Sequence, residues 1–387
     1  MPPPALKALD LFSGLGGIGM ALRGIAQTTA YCEIEPYAVK MLENNMRAGR
    51  IDRAPVHSDV RALTAKDVKG VDIIVAGFPC TGFSNAGLRQ GFKNSGSSLF
   101  YEVVRLIELA RPSLVFLENV SAIVRMGLDT IIKELNGRLG YEVRWVCAMG
   151  FNVGGVSKRR RWFCLAIRRD QPKRGIKLRV GDYTPFFSQW RAEPPPRLIQ
   201  GKSPPGVIRF GVIGNSVMPD VVRLAFLFLA SGGRVRNLAQ ERELQGQLQV
   251  APAMIVDDLG RPRKNRDGSA GDMCGVVDFD GHRVTFANPF PSLTPANFRL
   301  RFTPTGAKAS DIGLDDPVFK NAWATPRHSN TSPCRVFTER CLGDLPTQLV
   351  FEEKTPVSHR TAASGYVINP EFAEWVMGLP RGSSEYI

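Results

Sequence analysis

The chain has 387 residues, 43% of them hydrophobic and 22% charged, which is typical of a globular protein with a large core. Its formal net charge is +14, and residues 1–230 carry the excess, with 32 Lys and Arg against 18 Asp and Glu. Residues 158–179 alone hold ten basic side chains and one acidic one. A bias this local predicts a polyanionic partner, most often nucleic acid, although a solvated basic surface would give the same count.

Other bulk features exclude several classes of protein. No stretch of 18 uncharged apolar residues is present, and the first residues lack the apolar core of a signal peptide, so we expect no membrane span and a cytoplasmic protein. The seven cysteines are scattered without a Cys-x-x-Cys pair, which argues against a zinc site and against a disulfide framework. We therefore expect no bound metal.

The first 60 residues predict a binding corner of the nucleotide type. A strand at 6–11 runs into the glycine-rich turn 12–19, and glycines let a ligand approach the main chain closely. A strand at 28–32 ends at Glu33, and a short strand near Val56 ends at Asp59; acids at these strand ends can accept hydrogen bonds from ribose hydroxyls and from an adenine amino group. The pattern favours an adenosyl ligand, although each acid alone could be a surface residue. No lysine follows the glycines, so a phosphate-binding P-loop is not supported.

A cysteine follows the next predicted strand. The run at 71–76 indicates a buried parallel strand that ends at Gly77-Phe78-Pro79-Cys80. Ligands bind beyond the carboxyl ends of such strands, so Cys80 is a candidate for chemistry; the alternative is a buried structural cysteine. The Gly- and Ser-rich residues 81–98 predict a mobile lid. Glu118 ends the following strand, 113–117, and should lie beside Cys80.

The remaining elements are predicted as follows: helices at 99–110, 128–139, 221–230 and 370–377, strands at 142–149 and 162–167, a loop-like stretch at 170–208, and short β-like pieces at 275–279, 282–287 and 298–302. The arginines at 159–161 stand at the start of an apolar strand, beside the site that the other strand ends define.

The motifs, in this arrangement, resemble the cytosine-C5 DNA methyltransferase family. The matching stretches are Asp10–Gly19, Gly77–Ser84, Glu118–Val120, Ser157–Phe163 and Gly214–Pro219. Amino-directed DNA methyltransferases carry an Asn/Asp-Pro-Pro-aromatic motif, which this sequence lacks. The resemblance implies an α/β fold: a Rossmann-like, S-adenosylmethionine-dependent methyltransferase domain at 1–230, a smaller irregular or β-rich target-recognition domain at 231–368 and a C-terminal helical segment at 369–387.

The resemblance also implies S-adenosylmethionine as the methyl donor. Glu33 would hold its ribose, Asp59 its adenine, and Asn215 with Ser216 its methionine end. The full set of expected cofactor residues is Phe12, Gly14, Leu15, Gly17, Glu33, Ile34, Asp59, Val60, Pro79, Leu99, Asn215 and Ser216.

The implied reaction is methylation of carbon 5 of a cytosine flipped out of duplex DNA, as in restriction-modification. Cys80 would add to carbon 6, Glu118 would hydrogen-bond ring nitrogen 3, and Arg161, with Arg159 near it, would hold the base carbonyl. The expected DNA contacts are Ser84, Lys158, Arg160, Arg263 and Lys264.

The sequence departs from the family pattern in three ways. Thr81 and Ser157 stand where the family usually has glutamine, and the segment 214–219 precedes the variable domain instead of closing the chain, while 375–380 resembles the penultimate family motif. Two alternatives stay open: an enzyme that acts on RNA, and a non-catalytic binding module. We expect a monomer, and the sequence does not specify the recognised DNA site or a companion nuclease.

Overall fold

The computed structural model of the chain describes residues 5–79, 99–155, 157, 159–169, 176–181, 195, 198–200, 204–244, 246–250, 273–287 and 366–386. Several predictions fall outside these residues: the lid at 81–98, the piece at 298–302, and the residues Cys80, Thr81, Ser84, Lys158, Arg263 and Lys264.

Most of the described strands belong to one sheet. The strands are β1 Leu6–Leu11, β2 Ala26–Cys32, β3 Val56–His57, β4 Ile73–Gly77, β5 Leu114–Val120, β6 Tyr141–Met149, β7 Arg160–Arg168, β8 Lys177–Arg179, β9 Leu198–Gln200, β10 Gln247–Gln249, β11 Met273–Val277, β12 Arg283–Ala287 and β13 Tyr366–Ile368. Among the described residues, nine of them form a sheet in the order β12-β11-β6-β7-β5-β4-β1-β2-β3. β1 to β5 pair in parallel, whereas the pairs β5–β7, β7–β6, β6–β11 and β11–β12 are antiparallel. This is the Rossmann-like α/β fold that the sequence predicts.

Helices cover both faces of this sheet. They are α1 Gly17–Ala21, α2 Pro36–Arg47, α3 Leu99–Ala110, α4 Ile123–Met126, α5 Leu128–Ile132, α6 Pro204–Asn215, α7 Pro219–Ala230 and α8 Pro370–Val376, with 3-10 turns at Val60–Ala62, Gly150–Val153 and Leu238–Leu244 and a π-helical turn at Lys133–Arg138. Buried side chains of α1, α2, α6, α7 and α8 share one core, and those of α3, α4 and α5 share the other. Alternate residues of the central strands feed the two cores, since Val75 lies in the first and Ile74 in the second.

The stretch 170–208, predicted to be loop-like, contains regular structure. β8 and β9 lie within it, and α6 begins at Pro204. The two prolines at 204–205 misled the prediction: proline is tolerated in the first helical turn, where its missing N–H has no intrahelical partner anyway. As a consequence, Gly214 and Asn215 are the last residues of a helix.

Part of the predicted target-recognition region extends the main sheet. The β-like pieces at 275–279 and 282–287 correspond to β11 and β12, and β11 pairs with β6 through Gly275 and Trp145. The division of the chain at residue 231 therefore stays a prediction, with the qualification that residues 273–287 are built onto the sheet of the first domain.

One described segment, Ile208–Ala230, is long and apolar enough to cross a membrane. It contains α7, in which every residue is buried, and 89% of its most apolar window lies inside the protein. A segment packed in this way is the core helix of a folded domain. Even the charged Arg223 is buried there, donating to the carbonyls of Ala21 and Arg23 and pairing with Glu241.

The contact of Gly275 with Trp145 yields a prediction of stability. A Cβ added at Gly275 would overlap the Trp145 indole, which is almost fully buried. We expect Gly275→Ala to lower the free energy of unfolding by about 1–3 kcal/mol, because either the ring or the β11–β12 hairpin must shift. Chemical denaturation measures the change.

Gly137→Ala is the matched control. A Cβ at Gly137 would meet nothing within 4 Å, and the residue lies in the π-helical turn. Alanine there should be neutral or slightly stabilising. Equal stabilities of the two variants would show that the hairpin does not pack against Trp145.

Candidate active site

A cavity of about 840 Å³ opens where β1, β4 and β5 end. The strand order reverses between β1 and β4, and ligands of open α/β sheets bind at such a point. The following predicted residues lie in its wall: Phe12, Gly14, Glu33, Ile34, Asp59, Val60, Pro79, Leu99, Glu118, Arg159, Arg161, Asn215 and Ser216. The fold thus brings the expected cofactor residues and the expected base-binding residues to one space.

Residues 12–16, the glycine-rich loop, leave β1 in an unusual main-chain path. Phe12, Gly14 and Gly16 all have positive φ angles, of 57°, 55° and 90°. Glycine adopts this region without strain, whereas Phe12 must be held there by its surroundings. The hydroxyl of Ser13 donates to the Asp10 carbonyl at 2.8 Å, and its amide donates to the Cys32 carbonyl at 3.1 Å. The loop is therefore fixed against the end of β2.

Leu15 and Gly17, expected to line the cofactor pocket, do not belong to the described cavity wall. Leu15 is fully buried in the core. Gly17 faces Val217, since a Cβ on Gly17 would lie 2.7 Å from the Val217 Cγ2. Both residues shape the loop from behind instead of touching the cavity.

The two strand-end acids occupy the cavity wall in different ways. The Glu33 carboxylate accepts main-chain N–H groups of Gly14 at 2.7 Å and of Glu35 at 2.9 Å, so it joins the glycine-rich loop to the end of β2. The Asp59 carboxylate is paired with the Arg61 guanidinium at 2.8 Å. The hydrogen bonds from Arg61 hold the pKa of Asp59 below its ordinary value, which keeps Asp59 a hydrogen-bond acceptor.

Glu118 lies at the end of β5, within the strand instead of just beyond it. It pairs with Gly77 in the β4–β5 ladder and is only 7% exposed. Its Oε1 lies 2.9 Å from the Nε of Arg161, which is an ion pair. Burial raises the pKa of Glu118 above its ordinary value, although the nearby charges of Arg161 and Arg159 oppose this shift. A carboxyl in these surroundings is suited to hold a proton and to donate it in a hydrogen bond.

The next residue of β5 fixes the chain that leads to Cys80. The Asn119 amide donates to the Phe78 carbonyl at 3.0 Å, and its Oδ1 accepts the Val120 N–H at 2.8 Å. Phe78 is buried against Phe100, with ring centroids 5.4 Å apart. The described chain therefore enters the undescribed residues 80–98 from a fixed position at Pro79.

Arg159 is engaged by the segment 214–219. Its guanidinium donates to the carbonyls of Gly214 and Ser216, both at 2.8 Å, and its N–H donates to the Ser157 hydroxyl. The Gly214 carbonyl lies in the last turn of α6, where helical carbonyls lack partners within the helix, and the Ser216 carbonyl lies just beyond it. Arg159 thus connects the arginine motif to the segment expected to hold the methionine end of the cofactor.

Asp10, at the end of β1, is fully buried, and neither of its carboxylate oxygens has a hydrogen-bond partner. Burial and, to a lesser extent, the charge of Glu33 raise its pKa to about 8. The Ser13 hydroxyl and the Gly19 N–H lie near enough to lower the pKa somewhat, but neither makes a hydrogen bond of ordinary geometry to the carboxylate.

Several residues of the cavity wall were not predicted individually. Gly77, Phe78, Asn119 and Val120 belong to motif stretches that the sequence analysis identified, whereas the following residues were missed: Cys32, Glu35, Ala38, Ser58, Arg61, Tyr101, Glu102 and Val212. Arg61 could have been found from its position two residues after Asp59, and Tyr101 from its position in the first turn of α3, next to Leu99. Both sequence positions are common in proteins, and neither indicates a site residue until the positions of the strands are known.

The basic residues of 158–179 that the structure describes are spread along β7 and beyond it instead of forming one surface. Arg160 and Arg161 begin β7 beside the cavity, whereas Arg168 ends the strand, about 25 Å away at the usual rise per residue. There Arg169 pairs with Asp280 at 2.7 Å. On the same hairpin, Asp278, Asp280 and His282 come within 4.8 Å of one another, but they are largely exposed, and Asp278 accepts the N–H groups of the other two.

Comparison with known proteins identifies the family. A family model described as C-5 cytosine-specific DNA methylase matches residues 6–195. The type II methyltransferase M.CviJI of Paramecium bursaria Chlorella virus IL3A is 32% identical over 389 residues, which cover 99% of each chain. The chain belongs to the C-5 cytosine-specific DNA methylase family. It is accordingly a DNA (cytosine-5-)-methyltransferase.

Other members of the family match over shorter stretches. The type II methyltransferases M.NlaIV of Neisseria lactamica and M.HhaI of Haemophilus parahaemolyticus are 28% and 30% identical, over 51% and 43% of this chain and 53% and 50% of their own. The alignment with the viral enzyme, in contrast, runs through both chains from end to end.

The buried Asp10 predicts a dependence of stability on pH. The unfolded chain ionises this carboxyl near 3.8 and the folded protein only near 8, so between these values the folded state holds one more proton. The free energy of unfolding should fall as pH rises across this window, by up to about 1.4 kcal/mol per pH unit. Asp10→Asn removes this effect, so denaturant titrations from pH 4 to 8 should show the variant gaining stability relative to the wild type as pH rises.

Asp67→Asn serves as the control for this measurement. Hydrogen bonds from Thr64 lower the pKa of Asp67, so its contribution changes only at more acidic pH. A stability difference between Asp10→Asn and the wild type that stays constant from pH 5 to 8 would refute the raised pKa of Asp10.

Proposed function

We propose that this methyltransferase uses S-adenosylmethionine to methylate carbon 5 of a cytosine that is flipped out of duplex DNA, through a transient covalent bond to Cys80. The observation that supports the proposal best is the cavity with Glu33 and Asp59 in one part of its wall and the Glu118–Arg161 pair in another. Methyl transfer requires a donor and an acceptor in one enclosed space.

The chemistry of the cavity wall fits the cofactor, on which enzymes of this family generally depend. Glu33 and Asp59 offer carboxylate oxygens to ribose hydroxyls and to an adenine amino group, and Ile34, Val60 and Leu99 offer apolar contacts to a flat ring. Asn215 and Ser216 would hold the methionine end. When bound, the cofactor supplies an electrophilic methyl group.

Cys80 has the central chemical role in the proposal. Carbon 5 of cytosine is a poor nucleophile. Addition of the Cys80 thiolate to carbon 6 makes carbon 5 enamine-like, so that carbon 5 can attack an electrophilic methyl group. Electron density then moves onto ring nitrogen 3, where a protonated Glu118 would donate a hydrogen bond. Loss of the carbon 5 proton and elimination of the thiolate restore Cys80. Arg161 would hold the base carbonyl while it orients Glu118.

Arg159 takes a different part from the one the resemblance suggests. Both terminal nitrogens of its guanidinium already donate to the carbonyls of Gly214 and Ser216. We assign Arg159 to positioning that segment against Glu118, and the base carbonyl to Arg161 alone.

The remaining expectations form part of the same proposal. Arg160, beside the cavity, would contact the DNA backbone, with Ser84, Lys158, Arg263 and Lys264 as further contacts and residues 231–368 as the main source of sequence recognition. The protein would act as a monomer without a metal ion, in the cytoplasm of a prokaryote or of a cell that expresses it from a viral genome.

The first prediction for the proposed mechanism concerns Cys80. Cys80→Ala should abolish transfer of a labelled methyl group to duplex DNA, because no other residue of the proposal can form the bond to carbon 6, while calorimetric binding of S-adenosylhomocysteine should persist. The wild type should form a covalent adduct on duplex DNA that contains 5-fluorocytosine, and bisulfite sequencing of the product would give the methylated site.

Transfer RNA, assayed in parallel, should gain no label. Full activity of Cys80→Ala would exclude the covalent mechanism, and labelling of transfer RNA alone would move the substrate to RNA.

A second prediction separates the acid from the nucleophile. Glu118→Gln keeps the shape of the side chain but removes its ionisable proton, and we expect the rate of methyl transfer to fall by about 10²–10⁴-fold. The dissociation constant for S-adenosylhomocysteine should change little, because Glu118 is assigned to the base. Single-turnover kinetics measure the rate; an unchanged rate would remove Glu118 from the chemistry.

A further inference from the structure

A buried asparagine joins the glycine-rich loop to the other end of the chain. Asn45, in α2, is fully buried. Its Nδ2 donates to the Leu15 carbonyl at 2.8 Å and to the Ser383 carbonyl at 2.9 Å, and its Oδ1 accepts from Arg50 at 3.0 Å. Because both N–H groups face carbonyl oxygens, the orientation of the amide is fixed. Leu15 and Ser383 are more than 360 positions apart in the sequence.

Residues 369–386 form the C-terminal segment, and its last residues, 381–386, contact α2 and the turn that follows it. Arg50 also donates to the Arg381 carbonyl at 2.9 Å. The ring of Tyr386 meets that of Tyr37 edge-on, with centroids 5.4 Å apart. The segment therefore contacts α2 at several points. Asn45 is the residue that contacts both the segment and the glycine-rich loop.

A buried carboxylate organises the C-terminal segment itself. Glu374, in α8, has no exposed surface and accepts the N–H groups of Gly382 at 2.8 Å and of Ser384 at 2.7 Å. It also faces Arg209 of α6 at 3.4 Å. These bonds bend residues 380–384 back over α8, which presents the Ser383 carbonyl to Asn45.

The glycine-rich loop is thus held at two successive residues. Glu33 accepts the Gly14 N–H from the cavity side, and Asn45 donates to the Leu15 carbonyl from the core side. If the C-terminal segment separated from α2, one N–H of Asn45 would lose its acceptor. The segment is also held by apolar side chains of α8, among them Phe372 and Val376, which are buried in the core that α2 shares.

We propose that Asn45 is a positioning residue through which the docked C-terminal segment holds the glycine-rich loop in its cofactor-binding form. This inference rests on the proposed cofactor role of the loop. Coupling of this kind is reciprocal: docking strengthens cofactor binding, and bound cofactor stabilises docking. None of the residues 369–386 lies in the cavity wall, so the segment acts on the cavity through buried contacts, and Asn45 joins it to the glycine-rich loop.

Two variants test the coupling by calorimetric binding of S-adenosylhomocysteine. Asn45→Asp keeps the acceptor for Arg50 but removes both N–H donors and turns a carboxylate oxygen towards two carbonyls. Glu374→Gln loosens the C-terminal segment without touching α2 or the loop. We expect the dissociation constant to rise at least about fivefold in the first variant and at least about twofold in the second.

The control is Gly275→Ala, which loses stability at the opposite end of the sheet and should keep the wild-type dissociation constant. All measurements are made well below the unfolding temperature of each variant. Unchanged affinity in both Asn45→Asp and Glu374→Gln, with a wild type that binds, would overturn the coupling. Failure of the wild type to bind would instead contradict the proposed cofactor.

A measurement on the unaltered protein covers the case in which Asn45→Asp does not fold. Hydrogen exchange of the amides in residues 370–386 should slow when S-adenosylhomocysteine is added, since bound cofactor stabilises docking. Exchange that is the same with and without the ligand, in protein shown to bind it, would equally overturn the proposal.

Discussion

The pairing of Gly77 with Glu118 in the β4–β5 ladder is the constraint on which the site depends. It places the end of the strand that leads to Cys80 beside a buried carboxyl. A larger residue at 77 would crowd that carboxyl, because even a Cβ there would lie 3.4 Å from the Glu118 Oε2. The following residue, Asn119, holds the Phe78 carbonyl, so successive residues of β5 provide an acid and a support for the neighbouring strand. A shift of one residue in this register would separate the two functions.

The unusual order of segments is tolerated because the site is assembled from contacts that do not depend on it. Val217 packs against Gly17, and Arg159 donates to the carbonyls at the end of α6. Each contact joins segments that are distant in sequence. The segment that closes the chain here docks on α2 in the same manner, through Asn45.

The sequence predicts the parts of this site that follow from strand ends, because apolar β-branched runs locate the parallel strands and their ends share an edge of the sheet. Glu33, Asp59 and Glu118 belong to this group. Contacts that depend on antiparallel register or on docking between distant segments could not be predicted from the sequence. The basic run at 158–179 is an example: counted along the chain it suggests one surface, but β7 carries Arg161 and Arg168 to opposite edges. The helix at 204–215 was missed because its prolines resemble those of a loop.

Glu33 and Asp10, two carboxylic acids beside the glycine-rich loop, differ in their hydrogen bonds and in their electrostatic surroundings. Glu33 receives two main-chain N–H groups and faces the cavity, so it can present negative charge to a polar ligand. Asp10 receives no hydrogen bond, and its pKa rises to about 8 partly because Glu33 is charged. A buried carboxyl without partners opposes folding, and Asn45, whose amide is fully satisfied, lies on the core side of the same loop. The loop is therefore held by α2 and, through Asn45, by the C-terminal segment as well as by β1 and β2, and this is why its shape should respond to contacts made far along the chain.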